Sequence, residues 1–312
     1  MKYVIKKFIT MLITVFFVSF FVFIAFQIIP GDPATAMLGT EATPDEVAAL
    51  RVKLGLDRPI LVRYGEWLIA FFFGDMGKSY SYGISVKEMI GNKIPITVTL
   101  TLMSFLMIVC VSIPLGIYLA EHKNSPITRF IDGLNRVIMA VPAFFTGIML
   151  TFIFGLVFRL FTPGGYVSYE RNLPDFLYYL LYPAIAIALP KIAMTVKLLK
   201  SALLNEAELD YVRTAFSRGN TTRQVIYKHI LKNALIPVIT FLGMTLSDIV
   251  AGSIIIEQVF SIPGIGRLLI TSISNRDYPV ALSIISMVAF IVIFINFLVD
   301  LLYKYIDPRT EG

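Results

Sequence analysis

The sequence predicts an all-α membrane protein with six transmembrane helices and an extracytoplasmic loop region after the first of them. Two observations carry this prediction. The 312-residue chain is 57% hydrophobic and only 15% charged, with a mean hydropathy of +0.78, whereas an ordinary soluble domain is nearer half apolar and a quarter charged. Its apolar residues are also gathered into runs of about 20 or more, the length a helix needs to cross roughly 30 Å of hydrocarbon. Lysine and arginine number 27 against 21 acidic residues, but nucleic-acid binding needs a basic face on a soluble fold, and the apolar runs leave none. The single cysteine, Cys110, lies in an apolar run. Neither an intrachain disulfide nor a thiolate metal cluster is available, so stability must come from helix packing.

The first run, residues 8–29, follows Lys2, Lys6 and Lys7. At about 22 residues, roughly 33 Å of helix, it exceeds the short apolar core of a signal peptide and reads as a retained span. The mixed-charge segment up to Pro95 comes next. Within it Thr43 is placed to cap a helix over 44–54, with Asp45 and Glu46 in the first turn where they favour the helix dipole. Gly77-Lys78-Ser79 has the form of the end of a phosphate-binding loop, but Phe72 stands where that motif needs its first glycine. Further spans are expected at 96–120, 137–161, 176–199, 234–256 and 280–303, with kinks at Pro114, Pro142, Pro183 and Pro190.

Orientation follows from the cations of the short loops. Lys123, Arg129 and Arg136 in the second loop, and Lys197, Lys200, Arg213, Arg218, Arg223, Lys228 and Lys232 in the fourth, share a side with the N-terminal lysines. Arg159, Arg171, Arg267 and Arg276 fall on the other. Both termini are therefore expected in the cytoplasm. The corresponding division is a first helix and extracytoplasmic loop (1–95), a five-helix core (96–303) and a short cytoplasmic tail (304–312).

The fourth loop carries the strongest pattern. Over 206–217, Leu209, Val212 and Phe216 recur at spacings of three and four, opposite Glu206, Asp210 and Arg213, which predicts a short amphipathic helix. It should stop at Gly219-Asn220. A second helix should begin at once, because Thr221 with Gln224 has the form of a capping box. Periodicity alone fits a hairpin lying on anionic lipid as well as a helix seated in a groove of another protein.

The residues themselves carry a resemblance. Glu206-Ala207, Asp210-Tyr211-Val212-Arg213-Thr214-Ala215, Gly219, His229, Asn233-Ala234-Leu235 and Pro237 resemble the EAA-type loop of binding-protein-dependent ABC importer permeases, specifically the dipeptide and oligopeptide family. Pro30-Gly31-Asp32-Pro33, the run from Leu54 to Pro59, and Gly74-Asp75 with Gly77 and Ser79 are similar to the same family. So are Glu257 with Phe260, Pro263-Gly264-Ile265-Gly266, Asn275-Arg276-Asp277-Tyr278-Pro279 and Asp307-Pro308-Arg309. Phe216 and Ser217 depart from the family pattern, which has a basic residue and an alanine ahead of the final basic-glycine pair.

The resemblance implies a type I ABC importer permease-like bundle in the plasma (inner) membrane of a prokaryote. Residues 200–233 would be its ATPase-docking loop, with Glu206, Ala207, Leu209, Asp210, Tyr211, Val212, Arg213, Ala215, Phe216 and Gly219 as the contact and turn residues. Its partners would be a second homologous permease subunit, two ABC ATPase subunits that bind ATP and Mg, and an extracytoplasmic solute-binding protein. No cofactor and no catalytic residue is expected in this chain. The substrate could be a peptide, a nickel chelate or an oligosaccharide.

Lys191 and Asp248 are charges within predicted spans at similar depths from the cytoplasmic ends. Such groups usually face a bundle interior or water, so they are candidates to line a translocation path; a structural ion pair is the equal alternative. Asn296 and Asp300, toward the cytoplasmic end of the last span, are expected to fix helix packing or cap the exit. Pro263, Gly264 and Gly266 should form a tight turn, and by resemblance they are candidates for an outer gate. His122 and His229 lack metal-ligand spacing. The rival classes are a secondary transporter, which should show an internal repeat, a membrane enzyme, and a non-transporting scaffold.

Overall fold

The computed structural model describes residues 2–28, 32–39 and 42–306. Ile29, the Pro30-Gly31 part of one motif and Asp307-Pro308-Arg309 lie outside the described residues. The described chain is helical: α1 Lys2–Ile28, α2 Pro33–Leu38, α3 Pro44–Lys53, α4 Ile60–Phe72, α5 Val86–Gly91, α6 Ile94–Glu121, α7 Pro126–Ala140, α8 Ala143–Leu150, α9 Leu173–Ala207, α10 Asp210–Ser217, α11 Thr222–Val225, α12 Leu231–Val259, α13 Ile265–Ser274 and α14 Tyr278–Ile306. Short π-helical turns follow α8 (Thr151–Val157) and join α11 to α12 (Ile226–Ile230). Among the described residues five helices are long and apolar enough to cross a membrane, and α7 with α8 and its extension makes a sixth if the bent pair is one span. This is a multi-pass membrane protein.

The third span, expected over 137–161 with a kink at Pro142, does bend there, and the bend is a full break between two helices. α7 ends at Ala140 and the two halves meet at 103°. Pro142 is the physical cause. A proline disfavours helical backbone in the residue before it, and Val141 is accordingly extended, with φ −91° and ψ 123°, while Pro142 caps α8. Pro114, Pro183 and Pro190 instead remain inside the continuous helices α6 and α9.

The chain separates into two compact units, Met1–Val98 with Pro263–Phe294, and Thr99–Ile262 with Ile295–Gly312. In the first, α3 begins as the sequence predicts, with a reciprocal capping box between Thr43 and Glu46. The two hydrogen bonds from Thr43 hold the Glu46 carboxyl below its usual pKa. The 30–95 segment also contains α4, an apolar helix packed along the middle of α1. Tyr64, 5% exposed, shares a hydrogen bond of 2.9 Å with Ser19 and donates to the Phe16 carbonyl. Phe20 and Phe23 meet its ring edge to face.

In the second unit α9 is the central helix, packed by α7, α8 and α12. Close approach depends on small residues, as helix packing in lipid generally does. A Cβ on Gly243 of α12 would lie 2.4 Å from Val299 Cγ2 of α14, so no larger residue fits without displacing a stiff side chain. At the other end Tyr179 of α9 donates to the Phe260 carbonyl at 2.7 Å, and Phe161 stacks on Tyr182 at 4.1 Å.

Candidate functional site

The helix predicted over 206–217 is divided. α9 continues through Glu206 and Ala207, Leu209 takes extended backbone (φ −74°, ψ 149°), and α10 starts only at Asp210. Asp210 lies in the first turn of α10, where its charge favours the dipole. The apolar residues divide as well. Val212 and Ala215 are buried, whereas Leu209 and Phe216, expected on the same inward face, stay 47% and 46% exposed with Tyr211 at 38%. The reason is that α10, two turns long, spends its packing face on small Ala215 and Val212. The larger apolar groups are left outside.

The turn after α10 agrees with the sequence. Gly219 has φ +83°, the left-handed region that only glycine enters without strain. The Asn220 amide donates to the Ala215 carbonyl at 2.9 Å, closing the helix end. Thr221 and Gln224 form the reciprocal capping box.

Sequence reasoning treated Glu206 and Tyr211 as contact residues, but the structure gives them an internal partner. Glu206 Oε1 accepts from the Tyr211 hydroxyl at 2.7 Å and from Asn233 Nδ2 at 2.9 Å. Asn233 Nδ2 also reaches the Tyr211 oxygen at 3.3 Å. The end of α9, the start of α10 and the start of α12 are thus tied at one point. Burial, and then the hydrogen bond to Glu206, raise the Tyr211 pKa, so the phenol stays protonated and able to donate.

Lys191 of α9 and Asp248 of α12 do meet, Nζ to Oδ2 at 2.5 Å. Their side chains are 23% and 60% exposed, so the pair lies at a surface of the chain and not in its core. Beside it on α12, Ser247 donates to Asn296 Oδ1 at 3.1 Å, the packing role expected for Asn296.

The expectation of a tight turn built on Pro263, Gly264 and Gly266 is corrected. Gly264 is extended (φ −89°, ψ −168°) and caps α13, which starts at Ile265. The backbone entering α13 donates from Ile265 N to Thr97 Oγ1 at 3.0 Å. Left-handed backbone occurs earlier, at Ser261, with φ 55°. The chain turns at Phe260 and Ser261, just ahead of the glycine-proline cluster.

One arrangement was missed altogether. Asp277 is 1% exposed. Its carboxylate accepts from the Ser79 hydroxyl, from Tyr80 N at 2.9 Å and from Ser81 N at 3.3 Å, while Tyr82 N donates to Ser79 Oγ. The segment that follows Gly77-Lys78 therefore does cradle an anion, through the Ser79 hydroxyl and the Tyr80 and Ser81 backbone, but the anion is the protein's own carboxylate. The signal available was two separate motifs, Gly77 with Ser79 and Arg276-Asp277-Tyr278, whose pairing no local pattern reveals. Close by, burial raises the Tyr80 pKa and lowers that of Arg63.

His122 Nδ1 lies 3.0 Å from the Tyr118 carbonyl, and its ring stacks on Tyr118. No group of three or more His, Cys, Asp or Glu side chains placed to hold a metal occurs among the described residues.

Comparison with known proteins shows what the whole chain is similar to. The family described as "Binding-protein-dependent transport system inner membrane component" matches residues 112–312, and its N-terminal counterpart, "Binding-prot-dependent transport system membrane comp, N-term", matches residues 1–101. A putative peptide transport system permease protein of Brucella abortus (strain 2308) is 34% identical, over 94% of this chain and 94% of its own. An oligopeptide transport system permease protein of Bacillus subtilis (strain 168) is 33% identical over 93% and 92%. A probable peptide ABC transporter permease protein of Sinorhizobium fredii is 29% identical over 99% of both. With the loop around Glu206 and the ion pair lying inside the matched region, the chain belongs to the family of inner membrane components of binding-protein-dependent transport systems.

Proposed function

We propose that this chain is one of two permease subunits of an ATP-driven peptide importer. An external binding protein would deliver the substrate, and two ATPase subunits carrying ATP and Mg would supply the work. Relatives named as peptide permeases over nearly the full length support the substrate class. The division into 1–95, 96–303 with a docking loop at 200–233, and 304–312, and the cytoplasmic placement of both termini, belong to the same reading.

The observation that carries the mechanism is the exposed apolar edge of the docking loop, Leu209 and Phe216 on either side of Val212 and Ala215. A helix whose small face packs inward and whose large apolar groups face outward suits a groove in a partner. The Glu206, Tyr211 and Asn233 tie gives it leverage. Motion imposed on α10 is passed directly to the ends of α9 and α12, the two helices that carry Lys191 and Asp248. ATP-driven movement of the ATPases would then rock those helices between inward-open and outward-open arrangements. Lys191 and Asp248 would line the path, near peptide terminal charges, and the Pro263, Gly264 and Gly266 segment would form part of the outer gate.

The test is ATPase activity of the purified assembly in liposomes. Peptide-loaded binding protein should stimulate hydrolysis and drive uptake; stimulation by nickel chelates or oligosaccharides in place of peptides would refute the substrate class. Reversing Lys191 and Asp248 singly should lower uptake, and exchanging the two charges should restore part of it. Full uptake in both single variants would remove these residues from the path.

A further inference from the structure

A polar feature of α7 and α9 adjoins the docking loop without including its contact residues. Asp132, Asn135, Arg136 and Met139 recur on α7 at spacings of three, four and seven, and so stand on one face of that helix. Lys197, Lys200, Ser201 and Leu204 repeat the spacing on α9, and the two rows line one cleft with a cavity of about 250 Å³. The cleft is cationic. Lys200 is neutralised by Asp132, Nζ to Oδ2 at 2.5 Å, which leaves Arg136 and Lys197, both exposed, as surplus positive charge on its rim.

Its floor contains a donor without an acceptor. Asn135 is 6% exposed, and its buried Nδ2 has no hydrogen-bond partner. A buried donor left unpaired keeps its full desolvation penalty, so the buried amide is expected to serve a ligand. Two cations and a buried neutral donor around a polar cavity suit a phosphate. The apolar part of the cleft indicates where that phosphate comes from. Met139 of α7 and Leu204 of α9 line it together with the cations, which suits the start of acyl chains beside a charged headgroup. Basic pockets between membrane helices characteristically hold anionic headgroups.

We propose that the cleft between α7 and α9 is a binding site for an anionic phospholipid. Its phosphate would be held by Asn135 Nδ2, Arg136 and Lys197, and its chains would leave the cleft past Met139 and Leu204. Lys200, at the start of the docking loop, lies seven residues before the end of α9, so the site is about 10 Å of helix from the point where Glu206 ties α9 to α10. A bound lipid would brace the same helix end that the loop moves.

Native mass spectrometry of the full chain, released from detergent with phosphatidylglycerol or phosphatidylcholine, tests this. Phosphatidylglycerol should be retained with defined stoichiometry, and each cation removed in Arg136→Gln and Lys197→Gln should weaken it about fivefold. Both residues are exposed, so these variants are expected to fold even where Asn135→Leu does not. A control pair, Lys123→Gln with Lys228→Gln, removes two cations from loops expected on the same side of the membrane and should leave retention unchanged. Equal retention of phosphatidylcholine, loss in the control equal to that in the site variants, or displacement of phosphatidylglycerol by equimolar inorganic phosphate would each overturn the proposal.

Discussion

Two regions of this chain hold a carboxylate with neutral donors, and they do so over very different distances in sequence. Glu206 is tied to Tyr211 five residues away and to Asn233 27 residues away, at a partly exposed junction of three helices. Asp277 is tied to Ser79, Tyr80 and Ser81 across 196–198 residues and is 1% exposed. The contrast separates a joint from a fastener. Water can replace any lost bond at the Glu206 junction, so its arrangement can change at modest cost. At Asp277 nothing can, because a buried donor left unpaired keeps its full desolvation penalty.

The largest expected effect follows from that difference. Asp277→Ala leaves the Ser79 hydroxyl and two backbone N–H groups without an acceptor, a loss on the order of 3 kcal/mol or more. Thermal unfolding of the detergent-purified chain should show a clear drop, with Asp277→Asn recovering much of it because the amide keeps one acceptor oxygen. Should Glu206→Ala destabilise the chain as much as Asp277→Ala, the distinction between joint and fastener collapses.

The same difference governs what could be read from the sequence. Thr43 with Glu46, Thr221 with Gln224, and Gly219 were all legible, since a cap or a left-handed turn is decided by residues a few positions apart. The apolar runs were legible too, because the bilayer imposes their length. The Asp277 clasp was not, and neither was the Lys200–Asp132 pair, as both depend on which distant segments meet. The kink at Pro142 was legible but its size was not: Val141 is forced into extended backbone and the two halves meet at 103°. One local reading failed for a local reason, since α10 was too short to bury both its large and its small apolar residues. Lys191 and Asp248 were expected at similar depth, and depth alone could not show that the aspartate would remain 60% exposed.

Gly219→Val comes next in size. A β-branched residue at φ +83° costs about 1–2 kcal/mol, and the strain falls on the turn that sets α10 against α11. The spans should still insert, while peptide uptake and co-purification of the ATPases fall. A variant with full transport would mean that the turn does not hold α10 for its partner. Tyr211→Phe is smaller, about 1 kcal/mol, since Asn233 remains bound to Glu206. Its contribution should also be flat across neutral pH. A raised folded pKa means that the stabilisation is complete below the unfolded value of about 10 and is lost only as pH rises through the folded one. A difference between wild type and Tyr211→Phe that grows from pH 8 to pH 6 would contradict this.

The smallest effect on the chain should come from Phe216→Ala, and that is what makes it informative. Phe216 is 46% exposed, and truncating an exposed side chain outside a cap or turn usually changes stability by no more than about 0.5 kcal/mol. An aromatic anchor in a partner's groove, by contrast, is worth about 2 kcal/mol or more when removed. The variant should therefore unfold like wild type yet bind its ATPases about thirtyfold more weakly. Paired measurement of unfolding and ATPase affinity separates the two kinds of residue in α10: Val212→Ala, 1% exposed, should lower both, because a buried methyl cluster cannot be trimmed without loosening the helix that presents the exposed ones. If Phe216→Ala also lowered both, the outward aromatic would be part of the fold, and the exposed edge that distinguishes this loop from the buried clasp at Asp277 would have no partner to meet.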